Sequence, residues 1–419
     1  MSEWKTTRIR DVAEVYDGPH ATPKKVEKGP WYLSISSLHR GQLDLSKSVH
    51  ISEVDFPKWT RRVAPQVGDT LFSYETRLGQ AAYWALEAEA ALGRRMGLLR
   101  PKRGLIEPRY LCYAYLGPQF QEVIRQHTLS GATVDRIPVG EMPNWPILLP
   151  SLETQRAVLS VLNSIDGLIE NNRRRIEVLE EMARAIYREW FVKFRFPGHQ
   201  DVRLVNSELG LTPEGWDLVA ASDVLLINPR IKLDKGVSHP FINMGDLSEK
   251  GMSCRPSEYR SGGSGSKFVV GDTLFSRITP CLQNGKTGLV QTLGDSEVGR
   301  GSTEFIVLRG RLVGSAYTYC LARNEHFRAY AEASMSGASG RQRVRNECFD
   351  SYMIAVPPRE LAQQFEQASQ PMFAQIRILT DETLTLVRLR DRLLPKLVTG
   401  QIDVSGLDLE AVDAKEEAG

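Results

Sequence analysis

The stretch SLETQRAVLSVLNSIDGLIENNRRRIEVLEEMARAIYREWFVKF, residues 151–194, decides how the chain is read. Its apolar positions are Val158, Leu162, Ile165, Ile169, Ile176, Leu179, Ala183, Ile186 and Trp190, in alternating steps of four and three. Asn172 fills the one gap. Such spacing sustained over many turns marks a coiled-coil seam rather than the broad apolar face of a globular helix. No proline falls between Pro150 and Pro197, and Ser151, Glu153 and Gln155 supply a cap and an acidic first turn. A helix of about 40 residues is about 60 Å long at ~1.5 Å per residue. Asn172 is a candidate register device, because a lone seam amide specifies alignment at some cost in stability. The other reading turns Asn172 towards solvent or a partner.

The same frame returns 207 residues later at Phe365, Ser369, Met372, Ile376, Leu379, Thr383, Leu386, Arg390, Leu393 and Leu397, a weaker copy with three polar positions. Pro395 predicts a kink or stop near its end. Outward from the helices the repetition continues. VGDTLFS at 67–73 recurs at 270–276, LSISSL at 33–38 corresponds to INMGDL at 242–247, and SGA at 130–132 to SGA at 336–338. ILLPSLETQ at 147–155 matches IAVPPRELAQ at 354–363 with one residue inserted. An identical heptapeptide embedded in collinear matches makes the chain a duplication. The expected parts are mixed α/β domains at 1–150 and 198–355, long helices at 151–197 and 356–403, and a mobile acidic tail at 404–419. Within the first domain, WYLSIS (31–36) and DTLFSY (69–74) read as strands, and 108–128 as one helix.

Composition narrows function mainly by exclusion. With 419 residues and a net charge of +2, no whole-molecule field announces a nucleic-acid partner, so any such surface must be local. Five widely spaced cysteines without a C-x-x-C pair suit neither a disulfide scaffold nor a zinc site. MSEWKTTRIR lacks the apolar core of a secretory signal, and no apolar run approaches the ~18 residues that span a bilayer, so a soluble cytoplasmic protein is expected. NGKT at 284–287 has Pro280 where a phosphate-cradling loop needs its first glycine. No G-x-G-x-x-G, G-x-S-x-G, H-E-x-x-H or [NDS]-P-P-[YFW] motif is present, so no catalytic, metal or cofactor site is expected in this chain.

Each half does place basic residues among Gly, Ser and Thr at corresponding loops. In the first half these are Arg77, Arg94, Arg95 and Arg136; in the second, Arg277, Asn284, Lys286, Arg300, Arg341 and Arg343. Arg pairs bidentately with guanine and Asn with adenine, while Lys, Ser, Thr and backbone amides hold phosphates. Matched frameworks carrying different loop residues are what two readers of different DNA sequences would show.

VGDTLFSRITPCLQNGKTG, GSTEFIVLR, SGASGRQRVRNE, LTPEGW and LLPKLVTGQIDV, with the two Pro-preceded helix starts, resemble the specificity subunits of type I restriction–modification systems. The resemblance covers nearly the whole chain. It implies an α+β chain of two pseudo-repeated target-recognition domains joined by two long antiparallel coiled-coil helices, with an overall pseudo-two-fold and termini close together. It also implies double-stranded DNA with a bipartite target as the ligand, one half per domain. The helices would act as spacer and as dock for two methyltransferase subunits. Such a subunit is non-catalytic. Adenine N6 methylation from S-adenosylmethionine belongs to its partners, as does Mg- and ATP-dependent restriction with two restriction/translocase subunits. The competing readings are a stand-alone methyltransferase or nuclease, which the missing motifs oppose, and a coiled-coil adaptor without a DNA role.

Overall fold

The structure is a computed structural model that describes residues 4–131, 134–234, 236–262, 264–338, 340, 342–404 and 406. It divides into two compact units, Met1–Leu168 with Leu386–Gly419, and Ile169–Thr385. Each combines one copy of the duplicated sequence with part of each long helix.

In the first unit the strands that frame the site are β1 (Lys5–Arg8), β2 (Ala13–Asp17), β3 (Val26–Tyr32), β4 (Thr70–Ser73), β5 (Ala81–Tyr83), β6 (Ala90–Ala91), β7 (Met96–Pro101) and β8 (Pro146–Leu149). Helices α1 (Pro108–Leu116) and α2 (Pro118–His127) precede β8, and the long α3 (Leu152–Tyr187) follows it. The second unit repeats the plan with β9 (Asp217–Ala220), β10 (Leu225–Ile227), β11 (Ser238–Ile242), β12 (Glu258–Ser261), β13 (Ser266–Phe268), β14 (Thr273–Ser276), β15 (Thr287–Val290), β16 (Gly299–Gly301), β17 (Phe305–Gly310) and β18 (Met353–Val356). Its helices are α4 (Ser315–Arg323), α5 (Glu325–Ala333) and the long α6 (Arg359–Leu397).

The central sheets share one strand order. The order β2-β7-β4-β5 recurs as β10-β17-β14-β15, where Ser253–Cys254 adds one more strand. The antiparallel pair β1–β8 recurs as β9–β18. The heptapeptide shows why it is repeated. Gly68 and Gly271 hold φ of +105° and +88°, a conformation that favours glycine. Asp69 and Asp272 then fold back to accept the amides of Gln66 and Val269, both at 2.8 Å. Thr-Leu-Phe-Ser is buried on both faces in each copy.

Two local expectations need correction. WYLSIS is a strand only through Tyr32; a 3-10 turn follows at Ile35–Ser37, with the Ser34 side chain accepting the Ser36 amide. The helix expected over 108–128 is two helices, because Gly117 before Pro118 is extended (φ −67°, ψ 151°). The second long helix continues through Pro371 and stops at Leu397, two residues past Pro395, close to the expected stop. The start of α3 follows the sequence, with the Ser151 hydroxyl accepting the Thr154 amide at 3.2 Å.

Early α3 meets late α6 in the first unit, where Asp166 pairs with Arg390 at 3.1 Å. Late α3 and its π-turn (Arg188–Val192) meet early α6 in the second, with Tyr187 and Trp190 against Phe365. The helices therefore run antiparallel. Val158, Leu162, Ile165, Ile169, Phe365, Ile376 and Leu379 are buried, as is Phe373, which lies outside the expected frame. Ile176, Leu179, Ile186, Met372 and Leu393 are partly buried against the same cores, and Leu386 is half-buried. Asn172 is buried, which removes its solvent-facing reading, and its Nδ2 has no partner.

Buried carboxylates on α3 lock each globular part to the helix. In the first unit Asp166 accepts from Arg109, the Tyr113 hydroxyl and Arg390. In the second, Glu180 accepts from the Tyr319 hydroxyl and the Met252 amide. There Arg323 donates to Tyr319 and to the carbonyls of Glu249, Gly251, Gly285 and Thr287. Near the chain ends Gly400 leaves room for the Trp4 indole: a Cβ there would lie 2.5 Å from Nε1. Val404 is buried, whereas the rest of the expected tail, Gly406 apart, lies outside the described residues. Among the described residues no helix is long and apolar enough to cross a membrane.

Candidate nucleic-acid interface

In each unit the heptapeptide strand delivers the chain to a loop that is stitched to the segment before the long helix. The Tyr74 carbonyl accepts the Ile137 amide at 2.8 Å, and the Arg277 carbonyl accepts the Val344 amide at 2.9 Å. Tyr74 in turn donates to Arg95 O at 3.1 Å, and Arg277 to Glu304 O at 3.0 Å. Leu129 and Arg136 form a β-bridge, as do Ser336 and Arg343. These bonds define equivalent positions: Tyr74 with Arg277, Arg95 with Glu304, Arg136 with Arg343.

The base beneath the loops is stiff. Asp69 is clasped through both oxygens by Arg100 at 3.0 and 2.7 Å, and Asp272 by Arg309 at 2.6 and 2.8 Å. Both carboxylates are almost fully buried. Bidentate, charge-assisted pairs of this kind fix geometry as well as charge.

On that shared base the side chains diverge. In the first unit Arg95, at φ +71°, pairs with Glu75 at 3.0 Å and donates to Thr76 Oγ1 at 3.0 Å. Arg77 donates to Ile35 O at 2.8 Å. Arg94 and Arg136 are exposed, and their guanidinium groups have no hydrogen-bond or ion-pair partner among the described residues. Tyr74 is buried beside Asp17 and His20, and burial pushes its phenol well above the usual range. In the second unit Arg277 donates through Nη2 to Val344 O at 2.6 Å, while its buried Nε has no partner. Arg343 grips Glu304 at 2.7 to 3.0 Å, and that hydrogen bonding holds the Glu304 carboxyl below its ordinary value. Asn284 donates to Glu249 Oε1 at 3.2 Å and Lys286 to Met244 O at 3.0 Å. Guanidinium, ammonium and amide groups on a stiff two-loop edge are the donors that phosphates and base edges accept. Among the described residues no cluster of His, Cys, Asp or Glu is arranged to hold a metal ion.

Residues 1–181 match a family model described as the type I restriction modification DNA specificity domain. Over 431 aligned positions the chain is 24% identical to the type I restriction enzyme MjaIX specificity subunit of Methanocaldococcus jannaschii, covering 97% of this chain and 95% of that protein. It is 30% identical over 153 residues to the EcoEI specificity subunit of Escherichia coli, which covers 35% of this chain and 26% of that one. The chain is thus similar, over nearly its whole length, to type I restriction enzyme specificity subunits. The crystal structure of the S subunit from M. genitalium has the same fold, with a TM-score of 0.53, 13% identity, and coverage of 94% of this chain and 96% of that one.

Two of the candidate residues do not stand on the described surface. Arg300 is 2% exposed and donates to Ser264 O at 2.8 Å, so it is withdrawn as a DNA contact. The reason is register. Arg300 pairs with Phe241 in parallel strands just as Ala90 pairs with Trp31, so Gly299-Arg300 does not correspond to Gly93-Arg94. Arg341 lies outside the described residues. Two basic residues escaped the sequence reading: Arg230 and Lys267 line a cleft with Arg277. The only sequence signal was the basic run around Arg230, Lys232 and Lys235.

Proposed function

We propose that each unit reads one half of a bipartite duplex target and that the long helices set the gap between the halves. The observation that carries this reading is the twice-built loop edge with different side chains: Tyr74, Arg95 and Arg136 in one copy, Arg277, Glu304 and Arg343 in the other. Duplicated scaffolding with divergent donors suits two different half-sites better than one repeated site. The two long helices span 36 and 39 residues. At ~1.5 Å per residue each exceeds 50 Å, more than the ~34–36 Å of one duplex turn.

The same helices dock two methyltransferase subunits in this reading. Support comes from apolar side chains left exposed along them: Leu168, Val178, Met182, Ile378, Leu384 and Leu389. Adenine N6 methylation, with S-adenosylmethionine, resides in those partners, and Mg- and ATP-dependent restriction in two restriction/translocase subunits. This chain supplies no catalytic group and holds no cofactor. The test is methylome sequencing of DNA modified by the reconstituted complex, repeated after residues 1–150 are exchanged for another family member's first domain. One half of the methylated motif should change while the other half and the gap stay. A motif that changes in both halves, or is not bipartite, would remove the reading.

A further inference from the structure

In the second unit a cleft of about 570 Å³ opens where β13, β14 and β17 meet the loop after β10. Arg230, Lys267 and Arg277 line it together with Ser266 and Thr303, and among the described residues no carboxylate does. Three features suit it to an anion. The Arg277 Nε–H is buried without an acceptor, although Nη2 is engaged by Val344 O. Lys267 Nζ spends one donor on Ile231 O at 3.1 Å, and an ammonium has three. Arg230 is exposed, with no hydrogen-bond or ion-pair partner among the described residues.

An adenine edge, which needs a donor and an acceptor side by side, fits the cleft poorly. Its one amide side chain, Asn228, already donates to Asn346 Oδ1 at 3.2 Å and accepts the Val307 amide at 2.9 Å. What remains is positive charge and N–H and O–H donors, which is how proteins hold phosphodiesters. The first unit is built differently at the corresponding place. Tyr74 stands at the Arg277 position, and Asp17, paired with His20 at 3.1 Å, puts a carboxylate beside it.

We propose that this cleft seats a backbone phosphate of the DNA strand engaged by the second unit, held by Arg230, Lys267 and Arg277. The proposal rests on the reading of the chain as a DNA specificity subunit and adds an asymmetry between its units. The anchor sets position without reading sequence.

The experiment compares the reconstituted methyltransferase complex carrying wild-type chain, Arg230→Ala or Lys267→Met on duplexes bearing its methylated target. A scan of single methylphosphonates, each removing one phosphate charge, covers the second half-site. Each variant should weaken binding about equally on cognate and base-substituted second half-sites and lower the salt slope by about one. One methylphosphonate should weaken wild type and leave the variants unmoved. The inference is overturned if no position loses its effect in the variants, or if the loss is confined to one base pair. It is equally overturned if inorganic phosphate occupies the cleft while no position couples to it, which makes it a free-anion site. Failure of the wild-type complex to protect any bipartite site would instead defeat the underlying reading.

Discussion

Arginines that look alike in the sequence do different work, and burial separates them. Arg309 clasps Asp272, whose side chain is 1% exposed, so removing the guanidinium strands a charge inside the second unit. Breaking a buried pair from one side costs ~3–5 kcal/mol. Arg343 clasps Glu304 at the surface, with side chains 45% and 23% exposed, where solvent screening leaves a pair worth little. Arg309→Met should therefore lower the urea midpoint of the second unit strongly, and Arg343→Ala should scarcely move it. Equal shifts in chemical denaturation would show that the two pairs are not distinguished by burial. The heptapeptide's repetition thus reports folding rather than DNA contact, although it is the most obvious motif in the chain. Arg300 shows the opposite limit. Its Gly-Arg neighbourhood resembles a loop, and only its pairing with Phe241 and Lys267 places it inside a sheet.

At the scale of elements, the long helices were legible because a seam is written in local spacing. The frame buries even its polar positions Ser369 and Arg390. The break between α1 and α2 was legible in principle from Gly117-Pro118, but a continuous apolar stripe masked it. The cleft was not legible, because its lining comes from four stretches between Asn228 and Val307 that only the sheet brings together. Asn172 keeps a buried, unpartnered Nδ2, and leaving a buried donor unmade costs ~1–3 kcal/mol. Asn172→Leu should then raise the melting temperature. A fall would mean the amide holds the helices in register through a partner. Glu180 adds a pH dependence. Burial raises its carboxyl above the ordinary 4.5, so its contribution to stability is fully present below that value and is lost as pH rises through the folded value. The stability of wild type relative to Glu180→Gln should decline from acid towards neutral pH in denaturation followed by tryptophan fluorescence. Parallel pH curves would contradict it.

For the whole molecule, duplication leaves two copies of one loop edge that can diverge independently. The structure supports this at equivalent positions: an arginine at 136 without a carboxylate partner, and an arginine at 343 pre-oriented by Glu304. A side chain held in one geometry before binding loses less freedom on contact, so Arg343 is the stronger candidate for a bidentate base contact. Losing such a contact costs ~1–3 kcal/mol of discrimination. Because Arg343→Ala leaves the fold nearly untouched, its effect should be visible in sequence preference. The methylome of the variant complex should show one degenerate base position in the half-site of the second unit. The other half and the gap should match wild type. Degeneracy in both halves would mean that the units do not read separately, and an unchanged motif would reassign Arg343 to the backbone or to solvent.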